Sequence, residues 1–195
     1  MFSTDDVWPL PDYGTGPTKP VHALGVISLN FNMYEAALQV FLEFYIDKAT
    51  ADFLFDKMSN ERRVEAIHHF VSLKEKDPKI VELVEHSLSH YAKCFQNRNS
   101  LLHSKQYFAV SLPDLLSLEK RSKGAKPFMT FHLELTELRR VADEMMDGVF
   151  FVTDIWRVVD FRDREPNDRR TATFKTPSMP SPIQLPVLLR PNEDR

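Results

Sequence analysis

Apolar residues along this chain recur in steps of three and four, the spacing of helices that bury one face. From about Leu24 to Ile46, the residues Leu24, Ile27, Phe31, Leu38, Phe41 and Leu42 fall on one side. A second helix is predicted from about Asn60 to Lys76, with Val64, Ile67 and Val71 on its apolar face and Ser59 or Asn60 as its cap. A third opens at Asp77-Pro78, a good N-cap and first-turn pair. It carries the stripe Val84, Leu88, Tyr91, Phe95 and Leu102. A fourth spans about Thr136 to Val159, with Leu138, Val141, Met145, Val149, Val152, Trp156 and Val159 in register. That spacing resembles a heptad seam, which one helix of a small bundle also produces.

Between the third and fourth helices the texture changes. LLSLEKRSKGAKPFMTFHL (115–133) has two short runs flanking Lys123-Gly124, which predicts a β-hairpin or an irregular excursion. Both ends of the chain break every period. Residues 1–21 hold four of the thirteen prolines and two of the five glycines, and six prolines follow Asp163. The chain therefore divides into an extended N-terminal arm (1–21), a helical domain (22–162) and a disordered or extended tail (163–195). The expected fold class is all-α: a four-to-five-helix bundle with a short β-hairpin or irregular insertion before the last helix and a Pro-rich C-terminal tail. Within that tail PIQLPVLLRP (182–191) is open to three readings: docked on a partner, docked on the bundle itself, or unattached.

Composition narrows the reading. With 43% hydrophobic and 27% charged residues over 195 positions, the chain reads as a soluble globular protein. A formal charge of −3 supplies no global basic field, so any nucleic-acid binding must come from a local patch. Cys94 is the single cysteine, which leaves no internal disulfide and fits a reducing compartment. The start, MFSTDDVWPLPDYG, is acidic where a signal peptide needs basic residues. The longest greasy run, 148–159, carries Asp154 and Arg157 and is too short to span a bilayer. A cytoplasmic location is expected.

Two charged residues interrupt the apolar stripes. Arg98 falls on the stripe of the third helix, and Glu35 stands four residues after Phe31 and three before Leu38 on the first. A guanidinium in such a place keeps its charge and needs a partner. Glu35 and Arg98 are thus predicted to pair, in the bundle or at a cleft. Arg98 also belongs to QNRNSLLHSK (96–105), where Asn99 follows it and His103 lies five residues on. Asn99 and His103 share a helical face, but Arg98 and His103 are about 140° apart around the axis. Either the arginine bends toward the histidine, or the helix ends near it, or a second chain completes the site.

R-N-x-x-x-H near the end of a third long helix resembles the R-x(4–6)-H motif of the HEPN superfamily of all-α bundle domains. Many of its members are metal-independent endoribonucleases of toxin, phage-defence and RNA-processing systems; others only bind. The resemblance covers roughly residues 22–160 by helix order and implies a HEPN-like domain acting on RNA as a homodimer, with two motifs facing each other. It assigns His103 to general acid/base work, Arg98 to the phosphate, and Asn99 to the His103 ring or the phosphate, with Glu35 beside them. A histidine near neutrality suits proton transfer, and an arginine can hold two phosphate oxygens at once. The partial negative charge of a helix C-terminus is expected to favour the imidazolium of His103, which suits a general acid. One subfamily carries a tyrosine two residues after the histidine, the target of a partner nucleotidyltransferase. Lys105 stands there in this chain and the nearest tyrosine is Tyr107, so that regulation is not implied.

Lys105, Lys120, Arg121, Lys123 and Lys126 form the local basic cluster expected to track an RNA backbone. The pairs His68-His69 and His86/His90 lack a carboxylate-rich or cysteine-rich complement, so neither metal nor other cofactor is expected. An antitoxin or other partner protein fits the toxin setting. The alternative is a non-catalytic HEPN-like module that binds RNA or protein, with Arg98 and Glu35 in structural roles.

Overall fold

The computed structural model describes residues 18–108, 115–121, 128–163 and 177–190. Five helices and three strands follow in chain order: α1 (Thr18–Leu42), α2 (Lys48–Lys57), α3 (Asn60–Lys74), α4 (Pro78–Leu102), β1 (Lys105–Phe108), β2 (Leu115–Arg121), β3 (Phe128–Glu134) and α5 (Leu135–Asp163). The protein is mostly helical, and the stripes read from the sequence are its core. Ile27, Phe31, Leu38, Phe41, Leu42, Ile67, Val71, Val84, Leu88, Leu138, Val141, Met145, Val152 and Val159 are all buried. The stripe of α5 is covered within one chain.

Local chemistry sets the helix ends. Asp77 accepts the Lys79 N–H at 2.9 Å with Pro78 in the first turn of α4. Ser59 caps α3 through the Arg62 N–H. Asp47 takes both the N–H and the hydroxyl of Thr50 and starts α2. That helix is absent from the sequence reading because it is ten residues long and buries only Ala51 and Leu54, too few for a visible period. α1 begins at Thr18, six residues ahead of the periodic reading, so residues 18–21 belong to the helix and not to an arm. Pro20 is tolerated there because first-turn N–H groups lack helical partners anyway. Residues 1–17 lie outside the described residues.

The insertion before the last helix is a three-stranded antiparallel sheet of order β1-β2-β3, one strand more than a hairpin. Leu116 faces Leu133 and Leu118 faces Phe131 across β2 and β3, and all four are buried. This alternation glues one sheet face to the bundle. The other face is polar: Ser117 bonds His132 at 2.9 Å and Tyr107 donates to Glu119 at 2.8 Å.

α1 and α5 run in parallel, since Asn30 donates to the Ala142 carbonyl at 2.9 Å and Phe44 meets Trp156 near the far end. They meet tightly where Tyr34 lies over Gly148, and a methyl group on the glycine would overlap the phenol ring. The Tyr34 hydroxyl donates to the Ser87 carbonyl at 3.0 Å and lies 3.2 Å from His90 Nδ1. Since the phenol proton goes to Ser87, Nδ1–H of His90 donates to the phenol oxygen. Burial, with lesser repulsion from His86 and Lys93, pushes the His90 ring down to about 4, so it stays neutral. Cys94 packs beside it, buried, as the core residue expected.

At the opposite end a second polar corner closes the bundle. The Glu75 side chain is buried and accepts Tyr45 OH at 2.7 Å, the N–H groups of Lys76 and Asp77 at 2.8 Å each, and a two-pronged contact from Arg162 at 2.7 and 3.1 Å. Burial alone would raise this carboxyl, but the Arg162, Asp77 and Tyr45 hydrogen bonds outweigh it and hold it below the ordinary range.

The tail is not detached throughout. Residues 177–190 lie along α4 and α5 without helix or strand, and Met179, Ile183 and Leu189 pack against the core.

Candidate active site at the end of α4

α4 stops at Leu102, and His103 is its C-cap, with φ −103° and ψ 7° and its N–H donated to the Asn99 carbonyl at 3.1 Å. Leaving the helix there brings the His103 ring back toward Arg98. Arg98 Nη1 lies 3.2 Å from His103 Nε2 and donates to Asn99 Oδ1 at 3.1 Å. The angular gap of the ideal helix is thus closed by helix termination, inside one chain. Arginine can only donate, so His103 Nε2 is the acceptor and the ring proton sits on Nδ1.

Arg98 is half-buried. Its guanidinium stands 5.7 Å from the centroid of the Phe31 ring, a cation–π distance. Its Nε is buried with no hydrogen-bond partner among the described residues. Asn99 bonds the arginine rather than the His103 ring. Ser104 Oγ and Gln106 Nε2 take the free carbonyls of Ser100 and Leu101 at the helix end, so the backbone around the motif is tied down.

Glu35 does not meet Arg98. Its Oε1 accepts Arg63 Nη1 at 2.6 Å and Tyr91 OH at 2.9 Å. The reason is register. α1 and α4 run antiparallel, so Phe31 covers Phe95 and Arg98 while Tyr34 and Glu35 face Tyr91. Tyr91 is seven residues, or about 10 Å along the axis, before Arg98. Burial, then the Glu35 carboxylate, push the Tyr91 phenol far above its ordinary range and keep it a donor. Arg63 was the missing partner. It stands four residues before Ile67, on the same face of α3, so the sequence marks it as a charge on an apolar face but not as the partner of Glu35.

The basic cluster divides. Lys120 reaches from β2 to α4 and donates to Ser100 Oγ at 3.2 Å, two residues from Arg98. Lys105 lies on the other sheet face, exposed and directly opposite Glu119. Arg121 ends β2, and its side chain, with Lys123 and Lys126, lies outside the described residues. The histidine pairs serve other contacts: His68 bonds Glu85 at 2.9 Å, His86 bonds the Ile183 carbonyl at 2.7 Å, and His90 is in the core. Among the described residues no group of three or more metal-ligating side chains comes together.

Two cavities along the α1–α5 seam, about 410 and 260 Å³, have neither Arg98 nor His103 in their walls. With His103 exposed, the motif is an open edge rather than a closed pocket. An edge suits a polymer strand better than a small molecule, which needs a concave site. No helix among the described residues is long and apolar enough to cross a membrane. No family model, curated protein or solved structure matches the chain.

Proposed function

We propose that the chain is a metal-independent endoribonuclease of HEPN type, acting as a homodimer of the kind found in toxin and phage-defence systems. The observation that carries this reading is the 3.2 Å contact of Arg98 with His103 on an exposed edge. RNA is cut without metal when its own 2′-OH attacks the neighbouring phosphorus and the 5′-oxygen leaves. The anionic phosphate competes well for the guanidinium, because charge-assisted bonds outweigh those to neutral Nε2 and Oδ1. Once the phosphate holds Arg98, Nε2 of His103 is free to take the 2′-OH proton. Arg98 then steadies the charge growing on the phosphoryl oxygens. Lys120 extends the positive charge along the strand. His103 of the second protomer protonates the leaving oxygen, so the dimer rests on the need for two proton transfers and not on the reach of one arginine.

His103→Ala should lower cleavage of single-stranded RNA by about 10²–10⁴-fold with the fold intact. Arg98→Lys should also be damaging, because lysine keeps the charge and loses the fork. Cleavage should persist in EDTA, leave a 2′,3′-cyclic phosphate and spare DNA. Wild-type protein that cuts no RNA, or a His103→Ala variant that cuts as well, overturns the reading. The second reading, a non-catalytic HEPN-like module binding RNA or protein, draws on the full engagement of Glu35 by Arg63 and Tyr91 and on the split of Lys105 and Lys120 between two sheet faces.

A further inference from the structure

Residues 177–190 include prolines at 177, 180, 182 and 186. Each removes a backbone donor, so the segment cannot join a sheet as a regular strand. Side chains of the bundle serve several of its backbone groups instead. His86 Nε2 donates to the Ile183 carbonyl at 2.7 Å. Glu144, itself paired with Arg140 at 2.5 Å, lies 3.4 Å from the Val187 N–H. Asn97 does most: its Nδ2 donates to the Val187 carbonyl and its Oδ1 accepts the Leu189 N–H, both at 2.9 Å. A carbonyl and an N–H two residues apart are what one residue of a neighbouring parallel strand would bind through its own N–H and carbonyl. The Asn97 amide stands in for that strand. With the segment in place it is 1% exposed, so the segment both covers this amide and meets its two polar ends.

These bonds read the occupant's backbone. Pro186 is buried at the centre, where a residue with no N–H leaves no donor to desolvate. Ile183 and Leu189 seat on the core, while Val187 and Leu188 turn outward, 53% and 39% exposed. The groove thus asks for an extended backbone, a proline, and an aliphatic residue three positions later, and for little else.

We propose that the groove between α4 and α5 is a peptide-binding site for an extended protein segment of the form Pro-x-x-Leu. Residues 179–189 are its tethered occupant, and a partner's segment of the same chemistry displaces them. The site stands apart from the ribonuclease reading, since neither Arg98 nor His103 takes part in it.

The test uses a fluorescein-labelled peptide of residues 177–190 and the full chain carrying Pro186→Asp and Leu189→Asp, which empties the groove. The peptide should bind this chain at least tenfold more tightly than the unmodified one, where the tethered segment competes at an effective concentration on the order of millimolar. Asn97→Ala added to the emptied chain should weaken binding about tenfold, the loss of two hydrogen bonds. Equal binding to both chains, indifference to Asn97, or no binding to an emptied chain that keeps its helical circular dichroism overturns the proposal. Amide exchange in the unmodified protein gives an independent reading. The Leu189 N–H should be protected and should lose that protection in Asn97→Ala; free-chain exchange at Leu189 overturns the seat itself.

Discussion

Two arginines, Arg162 and Arg98, face opposite fates in this protein. Arg162 meets Glu75 with both prongs, and the carboxylate is further tied by a phenol and two N–H groups. Arg98 has a flat ring beneath it, two neutral acceptors, and a buried Nε without a partner among the described residues. The first arrangement is saturated and has no room for a visitor. The second leaves a cation under-served beside a histidine at an open edge. Arg162 is matched by another charge, whereas Arg98 is matched by neutral partners that the proposed phosphate contact would replace.

The largest test of this contrast is Glu75→Ala. Removing one partner of a buried pair strands the other, and about 3 kcal/mol should be lost, the low end of the range because Arg162 is partly exposed. Urea unfolding at neutral pH measures it. A loss as small as that of an ordinary surface substitution would erase the contrast from the structural side.

Acid should weaken the interior next. The native His90 ring titrates at about 4 against 6.5 in the unfolded chain, so the unfolded state binds more protons between those values. Stability is therefore complete above pH 6.5 and falls as pH drops toward 4, by about 2 kcal/mol between pH 7 and pH 5. His90→Gln should flatten that window. Glu75 acts in the same direction at lower pH: its carboxyl is held below the usual range, so its contribution is present above that range and is lost as pH falls through the native value.

Gly148→Ala pits two effects against each other. Alanine favours helix by about 1 kcal/mol over glycine. The overlap with Tyr34 costs more, roughly 1–3 kcal/mol for an overpacked core. A net loss of about 1 kcal/mol in thermal unfolding is expected, and a gain would mean that the two helices sit farther apart.

The smallest effect should come from the other arginine. Arg98→Met keeps the packing on Phe31 and removes the unpartnered Nε, so stability should change by less than about 1 kcal/mol while RNA cleavage collapses. A stability loss as large as that of Glu75→Ala would make Arg98 a structural residue and favour the binding-module reading.

Much of this architecture is legible in the sequence, for identifiable reasons. Long stripes such as Val84–Leu88–Tyr91 announce themselves because a helix repeats its face many times. α2 does not, having two buried residues, and β1 is only four residues long. Ser59, Asp77 and Pro78 act through their nearest neighbours, so their roles can be read locally. The partner of Glu35 cannot, because it depends on the registers of α1, α3 and α4 together; a one-dimensional stripe shows that a charge is buried but not what it faces. The Arg98–His103 contact lay between these cases. Its residues were plain, while its geometry hung on where α4 stops. The docked tail shows the same limit, since prolines announce a broken period and not the asparagine that receives it.

Gly148 has a consequence for the whole molecule. Two parallel helices of 25 and 29 residues with repeating apolar faces could slide past one another by a turn and still bury much the same surface. One turn either way would bring Glu144 or Val152 under the Tyr34 ring, and only the bare backbone at 148 leaves space for it. That single position acts as the zero mark of a ruler. From it are measured the reach of Arg162 to Glu75 at one end and the junction of β3 with α5 at the other, so a residue without a side chain sets the distance between parts of the protein that never touch.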